Sequence, residues 1–281
     1  MTYNRQEIIG MVEQMPAFPR SVYRVMELAS DINCDPKELV EVIEHDPVLI
    51  LKILKVVNSP YFSLGQKITS VNHAVVYIGL NTVKNLAMST ATIGALPRKN
   101  KAGFDMDAFL LHSLATATIA RLFARELGVP VKESFDYFVS GLLHDFGKAV
   151  LAHFTPDEFQ MALTIAKERQ VPLYMAENEI FDIDHSLIGS LLGERWRLPA
   201  NLVASLKGHH CLEGDRLPLT SVVAAANQVS KWLQIGDSGN PILEKMPDAI
   251  AEQFGEDFGT IVERLGGVTD EIEKAKVFIQ G

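Results

Sequence analysis

The sequence predicts an all-α protein folded as two helical lobes, and three observations carry that reading. Apolar residues recur at helical spacing along almost the whole chain. No alternating apolar and polar run bounded by turns competes with that spacing. Pro97 to Gly103, with Arg98, Lys99, Asn100 and Lys101, interrupts the apolar period in a short polar stretch and marks the boundary. The units are therefore an N-terminal lobe, 1–100, a helical core, 101–235, and an acidic helical extension, 236–281. The size agrees: 281 residues, 47% of them apolar and 22% charged, make an ordinary globular chain of about two domains at roughly 150 residues each.

Taken in order, Asp35-Pro36-Lys37-Glu38 supplies an N-cap, a proline at the first helical position and a capping-box acid, opening a helix to about Glu44. Asp46-Pro47 repeats the signal for a helix from Val48 to Val57. Its apolar stripe is either Leu51, Leu54 and Val57 or Ile50, Ile53 and Val57. Asn58-Ser59-Pro60 stops it, with Asn58 expected to cap backbone. Ser70 caps a helix to Ile78, and Thr82 to Leu96 is the next, stopped by Pro97. Beyond the boundary come Met106 to Leu127, Lys132 to Phe154, Pro156 to Arg169, Leu173 to Phe181, His185 to Trp196, Pro199 to Lys207 and Leu219 to Leu233. Pro130, Pro156, Pro172, Pro199 and Pro218 mark starts where a missing N–H costs nothing. The extension reads as two or three short helices broken by Gly236, Gly239, Gly255, Gly259 and Gly266-Gly267. Trp196 and Trp232 are expected as core anchors, and Phe18, Phe62, Phe104 and Phe109 as the filling between lobes.

Charge and cysteine narrow the classes. Net charge is −9, which argues against a nucleic-acid coat, and no basic-aromatic interleaving offers bases a stacking surface. Residues 236–281 hold 10 acids against 4 bases, whereas 47–104 hold no acid at all. That acid-free segment, with Lys52, Lys55 and Lys67, is a candidate docking face for an acidic partner or a phosphate-bearing ligand; its simplest alternative is core with a few solvated lysines. Cys34 and Cys211 are too few for a disulfide framework, and Cys211 beside His210 reads as a partly buried thiol. With no apolar signal segment at Met1 to Gly10 and no apolar stretch of transmembrane length, the expected setting is the cytoplasm.

Chemistry concentrates in the second half: His112, His144-Asp145, His185 and His209-His210. Histidine with carboxylate suits Fe, Mn, Zn or Ni. Taken singly, each histidine reads as a hydrogen-bonded core residue. Adjacent on one helix, His144 and Asp145 should diverge by roughly 100°, so other helices must complete any metal shell.

Gly141-Leu142-Leu143-His144-Asp145-Phe146-Gly147-Lys148 resembles the HD motif of the HD-domain metal-dependent phosphohydrolase superfamily. Met15-Pro16-Ala17-Phe18-Pro19, Ile43-Glu44-His45-Asp46-Pro47, Val57-Asn58-Ser59-Pro60-Tyr61-Phe62, Ile68-Thr69-Ser70-Val71 and Ile78-Gly79-Leu80 resemble the hallmarks of its HDOD (HD-related output domain) family, across roughly residues 10 to 235. The resemblance implies an N-terminal helical lobe on a modified HD helical core. It implies one or two divalent ions held by His112, His144, Asp145, His185, His209, His210 and Asn227, with Asp145 and Lys148 as the catalytic pair, Lys148 facing substrate phosphate. Asn227 stands where the superfamily has its final aspartate, Ala108 offers no carboxylate one turn before His112, and residues 209–218 lack the Gly-Tyr-Pro signature of cyclic dinucleotide hydrolysis. The implied function is a bacterial signal-transduction output module working through a signalling partner or phosphate-bearing ligand. The alternatives are a phosphohydrolase for a phosphomonoester, nucleotide or cyclic nucleotide, and a helical scaffold with a dead pocket.

Overall fold

The computed structural model describes residues 5–31, 34–211, 218–240 and 242–280. These are all-α: among them there is no strand, and no helix is long and apolar enough to cross a membrane. Residues 212–217, most of the segment lacking the Gly-Tyr-Pro signature, lie outside the described residues.

In the first part, α1 (Arg5–Gln14), α2 (Arg20–Ser30), α3 (Pro36–Glu44), α4 (Pro47–Val57), α5 (Val71–Ile78) and α6 (Leu80–Ala95) follow one another. The starts obey the cap chemistry. Asp35 accepts from Lys37 N at 2.9 Å, Asp46 from Leu49 N at 3.0 Å and Ser70 from His73 N at 3.2 Å. The second of the two α4 stripes is the buried one: Ile53 and Val57 are buried with Leu49 and Val56, whereas Leu51 is 70% exposed. Asn58 does cap backbone. It donates to Leu54 O and Ile68 O, both at 2.8 Å, and accepts from Ile68 N at 2.7 Å, tying the end of α4 to the loop ten residues on.

The second part holds α7 (Met106–Glu126), α8 (Val131–Leu143), α9 (Phe146–Phe154), α10 (Pro156–Arg169), α11 (Leu173–Phe181), α12 (His185–Arg195), α13 (Ala200–Gly208) and α14 (Pro218–Trp232). The expected single helix from Lys132 to Phe154 is two. His144 keeps helical dihedrals, but Asp145 moves to φ −100°, ψ 4°, and α9 restarts from it with Lys148 N bonded to Asp145 O at 2.9 Å. Just past the break, Gly147 lets α9 pack on α12: a Cβ there would lie 2.0 Å from His185 O, closer than any other residue permits.

The extension folds as α15 (Asp248–Phe254), α16 (Phe258–Leu265), α17 (Val268–Ala275) and a closing 3₁₀ turn (Lys276–Phe278). Gly259 sits inside α16 rather than breaking it. Its buried face joins one core continuous with the other two parts: Phe278 packs on Phe138 at 4.7 Å and Tyr61 at 5.3 Å, and Phe254 on Phe123 at 5.0 Å. Of the aromatic expectations, Phe18 and Phe62 do join first part to second, on Trp196 (4.8 Å) and Phe135 (5.8 Å). Phe104 and Phe109 do not. They pack on each other, Phe159 and Phe146 inside the second part, because Met106 starts α7 on that side. Trp196 is buried, donating Nε1–H to Pro16 O at 2.9 Å, which fixes the Met15-Pro16 segment; Trp232, at the end of α14, is 41% exposed against Phe258. Cys211 is exposed rather than partly buried.

Candidate metal centre

The pocket is built from α7, the α8–α9 joint, α12 and the end of α13, each delivering one side chain or a pair. Because α8 stops at Leu143, His144 and Asp145 occupy the joint between two axes and do not diverge: His144 Nε2 is 3.3 Å from Asp145 Oδ2. Helix α7 brings His112 Nε2 to 3.8 Å from the same oxygen. At Oδ1, the start of α12 places His185 Nε2 at 3.1 Å, and the end of α13 places His209 Nε2 at 3.6 Å. His210 follows, its Nε2 2.8 Å from that of His185. Six of the seven expected ligands thus come together around the Asp145 carboxylate, as two sets sharing it: His112 and His144 with Asp145, and His185, His209 and His210 with Asp145, the ligand atoms of each set within 4.8 Å of one another.

The far nitrogens are anchored, which fixes where the near ones point. His144 Nδ1 lies 2.7 Å from Gly141 O, His209 Nδ1 2.8 Å from Leu206 O, His112 Nδ1 3.2 Å from Ser230 Oγ and His185 Nδ1 2.5 Å from Glu177 Oε2. Backbone carbonyls accept from His144 and His209, so Nδ1 carries the proton in those two and Nε2 offers its lone pair inward; Glu177 accepts from His185 Nδ1 and fixes that ring's orientation. Glu177 is fully buried, also accepts from His185 N at 2.8 Å, and was not among the expected residues. Its trace in the sequence is an acid at the middle of the Leu173, Glu177, Phe181 stripe, where the i, i+4, i+8 face is otherwise apolar. Ser230, Lys231, Ser238 and Glu244 were missed as well. Gly236, at φ 71°, lets the extension lie on α7: a Cβ would be 2.3 Å from Ala108 O and His112 N. From there Ser238 O accepts from Lys148 at 3.1 Å, and Glu244 reaches 3.6 Å from Lys231 and 3.9 Å from His210.

Lys148 is 1% exposed, with Nζ 2.6 Å from Asp145 Oδ2. Asn227 is 1% exposed one turn before Ser230 on α14. Burial alone would push the Asp145 carboxyl up; the neighbouring His144 and Lys148 outweigh it and hold Asp145 well below the usual carboxylate range. Burial pulls His112 and His210 well below an ordinary imidazole and His209 down to about 4. His185 runs the other way, to about 9, since Glu177 and Asp145 overcome its burial.

The donor set passes a physical test for a metal. His112 Nε2, His144 Nε2, His209 Nε2, Asp145 Oδ1 and Asn227 Oδ1 are all buried without a hydrogen-bond partner. Each such atom costs about 1–3 kcal/mol when left unsatisfied, and buried polar atoms are seldom left so. A cation accepting these lone pairs removes the cost, and an imidazole-carboxylate set fits Fe, Mn, Zn or Ni.

An HDOD domain family model matches residues 15–212. An uncharacterized protein of Treponema pallidum (strain Nichols) is 25% identical over 250 residues, 88% of this chain; the chain spans about half, 47%, of that relative's length. Among solved structures, an HDOD domain protein of unknown function from Geobacter sulfurreducens superposes with a TM-score of 0.71 at 24% identity, covering 98% of this chain and 96% of that one. A protein of Shewanella amazonensis SB2B named as a candidate phosphohydrolase gives 0.74 at 22%, covering 97% of both. One from Marinobacter aquaeolei VT8 named as a candidate signal transduction protein gives 0.74 at 22%, covering this chain entirely and 62% of its own. At these identities the likeness carries the fold.

Proposed function

The chain belongs to the HDOD family, and from that premise we propose that it is a regulatory output module whose HD-type pocket binds one or two divalent ions and whose work is done by binding a signalling partner. One observation supports binding over turnover: most of the pocket is deeply buried. His112, His144, Asp145, Lys148, His185 and His209 are each 2% exposed or less. Among the described residues, Ser238 O holds Lys148 from the extension and Tyr174 stacks on His210 at 4.5 Å. Lys148, the residue expected to face substrate phosphate, spends its charge on Asp145 and a carbonyl inside the fold.

Within the pocket, Asp145 and the inward Nε2 atoms would hold the ions, Glu177 and the backbone carbonyls would hold the rings in register, and Lys148 would balance the carboxylate. A divalent ion, when bound, supplies Lewis-acid charge. Buried among these helices, that charge ties α7, the α8–α9 joint, α12 and α13 together. The partner face is the acid-free segment, where Val48 (62% exposed) and Leu51 (70%) stand beside Lys52 and Lys55 on α4. Such an apolar patch rimmed by lysines suits an acidic protein surface.

The alternative is a metal-dependent phosphohydrolase, supported by two ligand sets sharing Asp145. An assay of the protein reconstituted with Fe, Mn, Zn or Ni against phosphomonoesters, nucleotides and cyclic nucleotides separates them. The binding module gives turnover far below about 1 s⁻¹; metal-dependent turnover at or above that, abolished by Asp145→Ala, establishes the hydrolase instead.

A further inference from the structure

A second cavity lies well away from the histidines, where all three parts of the chain meet. It is lined by Tyr61 from the first part, Thr118, Arg121 and Arg125 of α7, Val131 and Ser134 of the first turn of α8, and Glu271 of α17. Arg121 stands nine residues after His112 on α7, about 13 Å along the axis at 1.5 Å per residue, so the cavity is separate from the metal pocket.

Three independent features give the cavity one chemical preference. Arg121 is half-buried, its guanidinium stacked 4.5 Å from the Phe135 ring centroid and 5.0 Å from that of Tyr61. Among the described residues it has no carboxylate at ion-pair distance; its polar neighbours are Ser134 Oγ, 3.5 Å from Nε, and the Tyr61 hydroxyl. The stacking fixes the plane of the fork against the cavity wall. Next, Tyr61 is 8% exposed, and its buried hydroxyl lies beside the Arg121 guanidinium with no other hydrogen-bond partner. Finally, α8 begins there with Pro130 as N-cap and no side chain capping its first N–H groups, so the positive end of a 13-residue helix faces the same space. Arg125 adds a second guanidinium one turn after Arg121, bonded to Leu265 O at 3.2 Å. The one acid in the lining, Glu271, is already paired with Lys274 at 2.7 Å.

We infer that this cavity is a phosphate-binding site, taking a free phosphate or the phosphoryl end of a small phosphomonoester on Arg121, Arg125, Tyr61 and the first turn of α8. The cavity measures about 160 Å³. That is close to an engineered cavity of about 150 Å³ that takes one benzene, room for a phosphoryl group and a few more atoms and less than a nucleotide fills. Because Tyr61, α7 and α17 belong to different parts of the chain, an anion bound there clamps the three together, and α7 carries the effect to His112.

The test is calorimetric titration of the full chain with inorganic phosphate and, in parallel, glycerol phosphate and AMP, at matched ionic strength and with excess EDTA so that no metal contributes. The expected result is saturable phosphate binding, weakened about tenfold or more by Arg121→Met and several-fold by Tyr61→Phe and Arg125→Gln, since a hydrogen bond to a charged group is worth that much. Tighter binding of glycerol phosphate than of phosphate identifies a phosphorylated metabolite as the source; the reverse identifies the free anion. Absence of saturable binding, binding unchanged in Arg121→Met, or AMP binding tighter than either small ligand overturns the site. Should Arg121→Met lose its helical circular dichroism, Arg125→Gln decides, because that guanidinium is 59% exposed and its loss leaves the core intact; unchanged affinity there overturns the site equally.

Discussion

The two oxygens of Asp145 sit in different company. Oδ2 already has a cation, the Lys148 ammonium at 2.6 Å, and two imidazoles at 3.3 and 3.8 Å. Oδ1 has no lysine, only His185 at 3.1 Å and His209 at 3.6 Å, with His210 behind them and Glu177 behind His185. One carboxylate is therefore held by a lysine on one side and by a displaceable imidazole proton on the other. The difference teaches how two ligand sets that share an oxygen pair can differ: an ion on the Oδ1 side would replace the His185 proton and satisfy Oδ1 and His209 Nε2, both buried without a hydrogen-bond partner, whereas on the Oδ2 side it would have to displace Lys148.

The most disruptive way to break that comparison is Asp145→Ala, which removes both sides at once. Metal uptake should vanish, and the metal-free variant should lose about 3–5 kcal/mol in urea unfolding, the cost of leaving Lys148 as an unpaired buried charge. Glu177→Gln acts on the Oδ1 side alone. It should weaken metal affinity about 10- to 100-fold, read by competition with a chromophoric chelator, because His185 loses the carboxylate that orients it. Unchanged affinity would mean that the Oδ1 side is not where the first ion enters.

Lys148→Met sharpens the comparison from the other side. With its resident cation gone, Oδ2 should accept a second ion, and metal content measured by mass spectrometry should rise from about one toward about two per chain; a fall to zero would show that Lys148 supports the first ion rather than excluding a second. The smallest expected effect is that of Asn227→Asp. Asn227 shares the face of α14 with Ser230, the anchor of His112, so the added carboxylate belongs to the Oδ2 side and should tighten a second ion about tenfold, equivalent to about 1.4 kcal/mol.

The parts of this site that sequence exposes, and those it hides, differ in kind. Ligand types are legible because a histidine-aspartate pair, an upstream helical histidine and a downstream pair keep their order along the chain. Helix starts are legible for the same local reason, as at Asp35, Asp46 and Ser70. The joint at His144-Asp145 is not, since the apolar period runs unbroken through it and the closeness of Gly147 to His185 O shows only in the fold. Glu177 and Ser230 were hidden because anchoring an Nδ1 is a relation between helices far apart in sequence. The extension's part in the site was the least legible: its short helices and acid content say nothing of what they cover, yet Gly236, Ser238 and Glu244 lie against the pocket and Phe278 enters the core. Composition reports the exposed face of a helix and is silent on the side it buries.

The central claim is that the six converging side chains form a metal centre buried inside the fold. Its most direct test is the metal content of the full chain purified without chelator, measured by inductively coupled plasma mass spectrometry beside Asp145→Ala. The expected result is about one tightly held Fe, Mn, Zn or Ni per chain in the wild type, slow to leave under EDTA, and none in the variant. A wild-type protein that remains metal-free after reconstitution with all four ions would contradict it.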